Sequence, residues 1–285
     1  MAGLTLLLSS DAPSPYLAVP RACRPFAVAR GGDIRLVLSQ ESVPLPDRHA
    51  LLFDSGGVWR AYRWEQGTLY TFRTPRLMPP VFKAVAMDGA LARGVLYYPP
   101  PRRGRLPRHA LDFPLDELLF QHRFAREGAF EVHACGLVAG GGAVLFPGKS
   151  GAGKSTTAQL WRRHRPGTLV LSDDRIVVRR AGGAFRADGT PWHGEGRFAA
   201  ADGRPLRAVF FLRQAKATSV ARLAPPDAAG RLFARTFPPP WDAAAVASVL
   251  ETCARVASEV PCYELSFRPE AEAVRTVLQE LQRRS

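Results

Sequence analysis

The stretch GKSGAGKS, Gly148–Ser155, constrains this chain more than any other eight residues. It satisfies the spacing G-x-x-x-x-G-K-S through Gly148, Gly153, Lys154 and Ser155. The apolar run AVLF (Ala143–Phe146) precedes it, and a helical pattern runs from Lys154 to about His164. In a strand–loop–helix of this kind, backbone N–H groups converge on phosphate oxygens and the helix directs its positive end at the same anion. The pattern predicts a phosphate cradle formed by Gly148, Ser150, Gly151, Gly153, Lys154, Ser155 and Thr156. Lys154 would reach the β- and γ-phosphates, and the Ser155 hydroxyl would ligate Mg²⁺.

Such a cradle needs a carboxylate at the end of a buried strand to complete the metal shell. LVLSDDR (Leu169–Arg175) supplies two, Asp173 and Asp174. Adjacent carboxylates repel unless a cation sits beside them. One can serve the metal while the other takes a proton from an attacking hydroxyl; which does which is open. Upstream, EVHACG places His133 on a strand expected beside the one that feeds the loop. Downstream, WHGEG offers His193 and Glu195 as substrate or phosphate contacts, or as an ordinary polar loop.

The rest of the chain frames this core. Residues 1–100 are β-rich, with DIRLVLS (Asp33–Ser39), VWRAYRW (Val58–Trp64), TLYTFRT (Thr68–Thr74) and GVLYYPP (Gly94–Pro100) as strands. EQG between the second and third reads as a hairpin loop. This region is a candidate substrate-docking or packing module. Residues 101–112 form a basic Pro/Arg linker, and residues 113–285 hold the glycine loop. Pro114–Gly128 is expected as a helix with Leu115, Leu118, Leu119 and Phe124 on its buried stripe. Further helices are expected near 228–235, 242–258 and 269–281, with strands at Ala208–Leu212 and Cys262–Phe267. Strand and helix signals are mixed, so the fold class is α/β: a mixed sheet with C-terminal helices, preceded by a β-rich region.

Composition narrows the setting. No apolar run reaches the roughly 18–20 residues of a membrane helix, so no membrane partner and a cytoplasmic location are expected. The four cysteines, Cys23, Cys135, Cys253 and Cys262, contain no CxxC pair and read as reduced, mostly buried thiols. The net charge is +14, and only four of the 39 basic residues are Lys. The balance favours anionic partners. The densest basic run, PRRGRLPRH, carries no nucleic-acid module and reads as a solvated linker or an acidic peptide contact.

HACGLV…AVLFPGKSGAGKSTTA…LVLSDD, in that order and rough spacing, resembles the catalytic core of the HPr kinase/phosphorylase superfamily. That superfamily shares its P-loop fold with ATP-dependent phosphoenolpyruvate carboxykinase. GTPWHGEG and AVFFLRQ look more like a divergent bacterial branch associated with ribosomal peptide biosynthesis, some of it lasso-peptide. The resemblance covers about Pro114–Leu212 and implies an HPr kinase-like core. It places His133 near the γ-phosphate and the carboxylates, Lys154 and Ser155 on phosphate and metal, and Asp173 and Asp174 in metal and base duties. The chain departs from HPr kinases at Thr156, where an acidic residue follows the loop serine in the family. It also lacks a clear copy of the downstream glycine-rich signature linked to phosphorolysis. Both departures weigh against the phosphate-driven reverse reaction and against HPr as acceptor.

The expected activity is therefore ATP/Mg²⁺-dependent transfer to a Ser or Thr hydroxyl of a peptide or protein. A ribosomal peptide precursor is one such acceptor. A small-molecule hydroxyl kinase and a non-catalytic nucleotide-dependent peptide-binding module stand as alternatives. Self-association is implied by the hexamers of the resembled family, and nothing points to nucleic acid.

Overall fold

The computed structural model describes residues 1–11, 13–77, 80–100 and 109–283. Most of the basic run foreseen as a linker, residues 101–108, lies outside the described residues. The chain divides into two compact units, Gly3–Phe120 and Gln121–Ser285 together with Met1–Ala2.

The first unit carries a mixed sheet of seven strands: β1 (Leu6–Ser9), β2 (Ile34–Ser39), β3 (Leu51–Asp54), β4 (Trp59–Trp64), β5 (Gly67–Arg73), β6 (Val81–Met87) and β7 (Arg93–Tyr97). Their spatial order is β1-β2-β7-β6-β5-β4-β3. β1–β2 and β2–β7 are parallel, and the remaining pairs are antiparallel. β2 buries Ile34, Leu36 and Leu38 and exposes the residues between them, the period of two that marks a half-buried strand. β6 centres on Lys83, which is 1 % exposed. Its ammonium donates to the Ala110 carbonyl (3.2 Å) and pairs with Asp112. Ala110 N–H in turn donates to the Tyr16 carbonyl (3.1 Å). These bonds tie the segment ahead of helix α1 (Leu115–Arg126) to the first unit, which runs on to Phe120. On that helix Leu115, Leu119 and Phe124 are buried and Leu118 is half-buried.

The second unit is built on β8 (Phe130–Ala139), β9 (Gly142–Pro147), β10 (Val170–Ser172), β11 (Arg175–Ala181), β12 (Ala184–Gly189), β13 (Gly203–Gln214), β14 (Ser219–Arg222) and β15 (Cys262–Phe267). β9, β13 and β15 run parallel, and antiparallel strands flank them. Four further helices follow in chain order: α2 (Lys154–His164), α3 (Pro225–Phe233), α4 (Ala243–Glu259) and α5 (Ala271–Gln282). β13 shows why both faces are covered. Val209 and Phe211 pack with Leu232 of α3 and Val249 and Val256 of α4. Ala208, Phe210 and Leu212 pack with Trp161 of α2 and Val277 of α5. A strand buried on both sides reads as a continuous apolar run, as AVFFL does. Phe146, Phe210 and Tyr263 stack across the three parallel strands at 5.8 and 4.8 Å.

Asp242 caps α4, accepting from Ala245 N–H at 3.1 Å, and also binds His122 Nε2 (2.9 Å) and Arg126. Burial would raise its carboxyl, but the His122, Ala245 and Arg126 hydrogen bonds outweigh it and hold the value at about 2. Its stabilisation is complete above the unfolded aspartate value and disappears as pH falls towards about 2. Asp242→Ala removes the cap, and a loss of about 1–2 kcal/mol is expected. Denaturant melts at pH 7 and pH 2.5 test this: the gap between wild type and variant narrows at the lower pH.

No helix among the described residues is long and apolar enough to cross a membrane. Among the described residues the four cysteines are free thiols; Cys135, Cys253 and Cys262 are buried and Cys23 is half-buried.

Candidate active site

Strand pairing brings the sequence-distant residues together. β8 lies antiparallel to β9, and the His133 carbonyl accepts the Gly148 N–H at 3.2 Å. On its other edge β8 pairs with β10 and β11, with Arg175 opposite His133. Asp173 and Asp174 occupy the step between β10 and β11, where Ala134 N–H donates to the Asp174 carbonyl (3.0 Å). The start of the glycine loop, His133 and the acidic pair thus meet on one strand.

The loop leaves β9 and enters α2 through Gly153, whose φ of 102° is left-handed. A Cβ there would lie 3.0 Å from Phe267 Cζ, so both the backbone angle and the space demand glycine. Gly148 is buried, whereas Ser150, Gly151 and Thr156 are exposed, and the Gly151 carbonyl accepts from Gln214 Nε2 (2.7 Å). Lys154 is buried, and its Nζ donates to the Gly148 and Lys149 carbonyls, each at 3.2 Å. It stands 4.0 Å from Asp174 Oδ1. Burial pulls its ammonium below the ordinary lysine value, and Asp174 opposes that pull.

The two aspartates have different surroundings. Asp173 is fully buried. Its carboxylate accepts from Ser155 Oγ (2.9 Å) and from the N–H groups of Gly194 (3.0 Å), Gly196 (2.8 Å) and Phe198 (3.3 Å). Asp174 is partly open and faces two nitrogen donors: His133 Nε2 at 2.8 Å and Arg175 Nη1 at 2.5 Å. Burial would raise its carboxyl, but the His133 hydrogen bond and then the charges of Arg175, His133 and Lys154 prevail. The group is held below the usual carboxylate range. An ionised carboxylate only accepts, so Nε2 carries the proton that His133 shares with it.

His133, Lys154, Ser155, Asp173 and Asp174 are therefore gathered in one place. His193 and Glu195 have exposed side chains, and the His193 ring bonds the neighbouring Gly194 carbonyl (3.0 Å). Their loop touches the acidic pair through backbone. At Gly196 a Cβ would fall 2.7 Å from an Asp173 oxygen, so the loop can close on that carboxylate only as glycine. Three further residues join this constellation. Arg175 bonds Glu131 Oε1 (3.0 Å) as well as Asp174, and its guanidinium lies over the Phe237 ring at 4.5 Å. The Phe237 ring is 6.1 Å from that of His133. Arg175 could be suspected from its place after the acidic pair; Glu131 and Phe237 leave no signature.

No known sequence family matches the chain, and no curated protein does. Among solved structures the chain is similar to the Hpr(Ser) kinase/phosphatase from Coxiella burnetii. The match is 13 % identical, spans 54 % of this chain and 90 % of that one, and has a TM-score of 0.31. What the protein does is therefore read from its own side chains.

Their chemistry fits a hard divalent cation. Ser155 Oγ and the Asp173 carboxylate, 2.9 Å apart, are oxygen donors. Mg²⁺ is commonly held by one or two such protein ligands, with water and phosphate completing the octahedron. Among the described residues no group of three or more His, Cys, Asp or Glu side chains forms a metal cage.

Proposed function

We propose that the protein is an ATP- and Mg²⁺-dependent kinase of HPr kinase-like fold that phosphorylates a Ser or Thr hydroxyl of a peptide or protein. A ribosomal peptide precursor is one candidate acceptor. The observation that carries this reading is the position of Asp174, within 2.8 Å of His133 Nε2 and 4.0 Å of Lys154 Nζ, beside the Ser155–Asp173 pair. A pure nucleotide binder needs neither a base nor a group to orient it.

MgATP, when bound, supplies the γ-phosphoryl group, whose bond to the β,γ-bridging oxygen breaks as the acceptor oxygen bonds to phosphorus. The loop N–H groups and Lys154 bind the phosphates and offset the charge that spreads over the equatorial oxygens. Lys154 now rests on two loop carbonyls, so phosphate oxygens would replace neutral partners with charged ones. Ser155 and Asp173 would hold the metal, with the three N–H donors fixing the Asp173 carboxylate in place. Asp174 accepts the proton of the acceptor hydroxyl, and His133 orients it. Arg175, braced by Glu131, limits its rotation.

The reading is tested with full-length protein, Mg²⁺ and γ-labelled ATP against Ser/Thr peptides. Wild type is expected to add one phosphate. Lys154→Ala is expected to lower transfer by about 10²-fold or more, the scale on which a charge-stabilising group acts. Near-normal turnover by Lys154→Ala, or no transfer by wild type, would remove this assignment.

A further inference from the structure

The second unit carries a basic cluster that this site does not use. On β13 and β15, Phe211 and Arg213 share a face with Glu264, the face covered by α3. Arg213 bonds one oxygen of Glu264 (2.9 Å), and Arg231 of α3 bonds the other (2.7 Å). Arg235, just beyond α3, lies over the Phe211 ring at 5.4 Å and donates from Nη1 to the Arg231 carbonyl (2.6 Å). Two guanidiniums share the Glu264 carboxylate and the third, Arg235, is held beside Arg231, so the cluster carries three positive charges against one negative. Burial, then the neighbouring charge of Arg231, disfavours the charged form of Arg235. Its Nε is buried and has no partner among the described residues. A buried donor without an acceptor costs free energy.

The cluster borders the candidate active site. The Arg235 carbonyl accepts the His133 N–H (2.8 Å), which ties the basic segment to the strand carrying the histidine. Gln214, next to Arg213, holds the glycine loop through the Gly151 carbonyl. The carboxyl ends of β9 and β13 carry the loop and Arg213 at one edge of the sheet, the edge where open α/β sheets bind ligands. Arg213 is 67 % exposed and Arg231 41 %, so the surface is open enough for an extended chain.

We infer that Arg213, Arg231 and Arg235 form an acceptor-docking site for carboxylate side chains flanking the phosphorylated residue, so that the protein selects acidic peptides. The inference rests on the peptide-kinase reading for its place in the reaction, but the binding itself can be measured without transfer. Guanidinium forks pair with carboxylates in two-point contacts. A second carboxylate would compete with Glu264 for Arg213 and Arg231 and would reach the excess charge left on Arg235.

The test uses the full chain with a non-hydrolysable ATP analogue and Mg²⁺ at physiological ionic strength. Two fluorescein-labelled peptides, a central Ser flanked by Glu or by Gln, are titrated and followed by anisotropy. The Glu peptide is expected to bind about tenfold more tightly or better, the scale of a charge-assisted contact. Arg213→Ala/Arg231→Ala should erase the preference and leave affinity for the ATP analogue unchanged. Arg255→Ala/Arg275→Ala removes the same charge from α4 and α5 and should retain the preference. Glu264→Gln frees the arginines and should tighten the Glu peptide, a gain that misfolding cannot mimic. Equal binding of the two peptides overturns the inference. So does an equal loss in the α4/α5 variant, weaker nucleotide binding in Arg213→Ala/Arg231→Ala, or weaker Glu-peptide binding in Glu264→Gln. Label transfer measured in parallel separates the two ideas. Preference without transfer removes the kinase reading alone, and transfer without preference removes the docking site alone.

Discussion

Asp174→Asn is expected to cut phosphoryl transfer by about 10²–10⁴-fold, the span of a positioned proton acceptor, while nucleotide still binds. The substitution keeps the shape of the side chain and removes its charge. It leaves Ser155 and Asp173 paired and the glycine loop unaltered. Single-turnover measurement with bound nucleotide reads the transfer step, and equilibrium titration reads binding. The pH dependence of wild type adds a second check. His133, Arg175 and Lys154 hold the Asp174 carboxyl below the usual carboxylate range. The base is then ionised at neutral pH, and the acid limb of kcat/KM should fall below the ordinary aspartate value of about 3.9. If Asp174→Asn transfers phosphate at the wild-type rate, the proton goes elsewhere and the role assigned here fails.

The residues of this site are unequally legible in the sequence. GKSGAGKS marks the loop because a left-handed turn at Gly153, pressed against Phe267, leaves glycine no substitute. α2 spans Lys154–His164, as its pattern predicts, since the loop fixes where it starts. The residues alone place the His133 strand beside the strand that feeds the loop; its approach to the acidic pair is implied only by the family resemblance. The anchoring of Asp173 is not foreshadowed. Its partners are backbone N–H groups of Gly194, Gly196 and Phe198, and a backbone donor has no residue-type signature. WHGEG draws attention to His193 and Glu195, yet the contact is made by the glycines between and after them. Glu131 and Phe237 lie far from Arg175 in sequence and meet it only through strand pairing and the segment after α3.

The same contrast runs through the fold. β2, β4, β5 and β7 are evident from alternation and aromatic content, whereas β3 and β14 are four-residue strands at sheet edges, too short to show a period. β6 is hidden for another reason. VFKAVAM places a lysine at a core position, and a charged residue in the middle of an apolar run reads as a break. The parallel pairing of β1, β2 and β7 depends on long connections that carry no register signal.

That lysine sets the second large effect. Asp112→Ala is expected to destabilise the first unit by about 3–5 kcal/mol, the cost of leaving a buried charge without its partner. Lys83 Nζ lies 4.9 Å from the Phe72 centroid, 5.8 Å from that of Phe82 and 6.0 Å from that of Tyr98. A compact ammonium fits this cage where the bulkier guanidinium would have to displace a ring. Burial drives Lys83 below its ordinary value, and the charge and hydrogen bond of Asp112, then the charge of Asp116, oppose this. Lys83→Met should be far milder, within about 1–1.5 kcal/mol, because a flexible apolar side chain fills the same space and Asp112 is itself partly exposed. The double variant should match Lys83→Met, so the large loss belongs to the orphaned charge and not to the missing carboxylate. The pH dependence has a definite sign. With the folded value depressed, the unfolded chain binds more protons as pH approaches about 10.4, so stability rises with pH. Asp112→Ala should therefore recover part of its loss at alkaline pH, and the double variant should show no such recovery. Hydrogen exchange across β5–β7 localises the effect to this unit. A small loss in Asp112→Ala at neutral pH, or equal losses in Asp112→Ala and the double variant, would mean that the aromatic cage alone stabilises the ammonium.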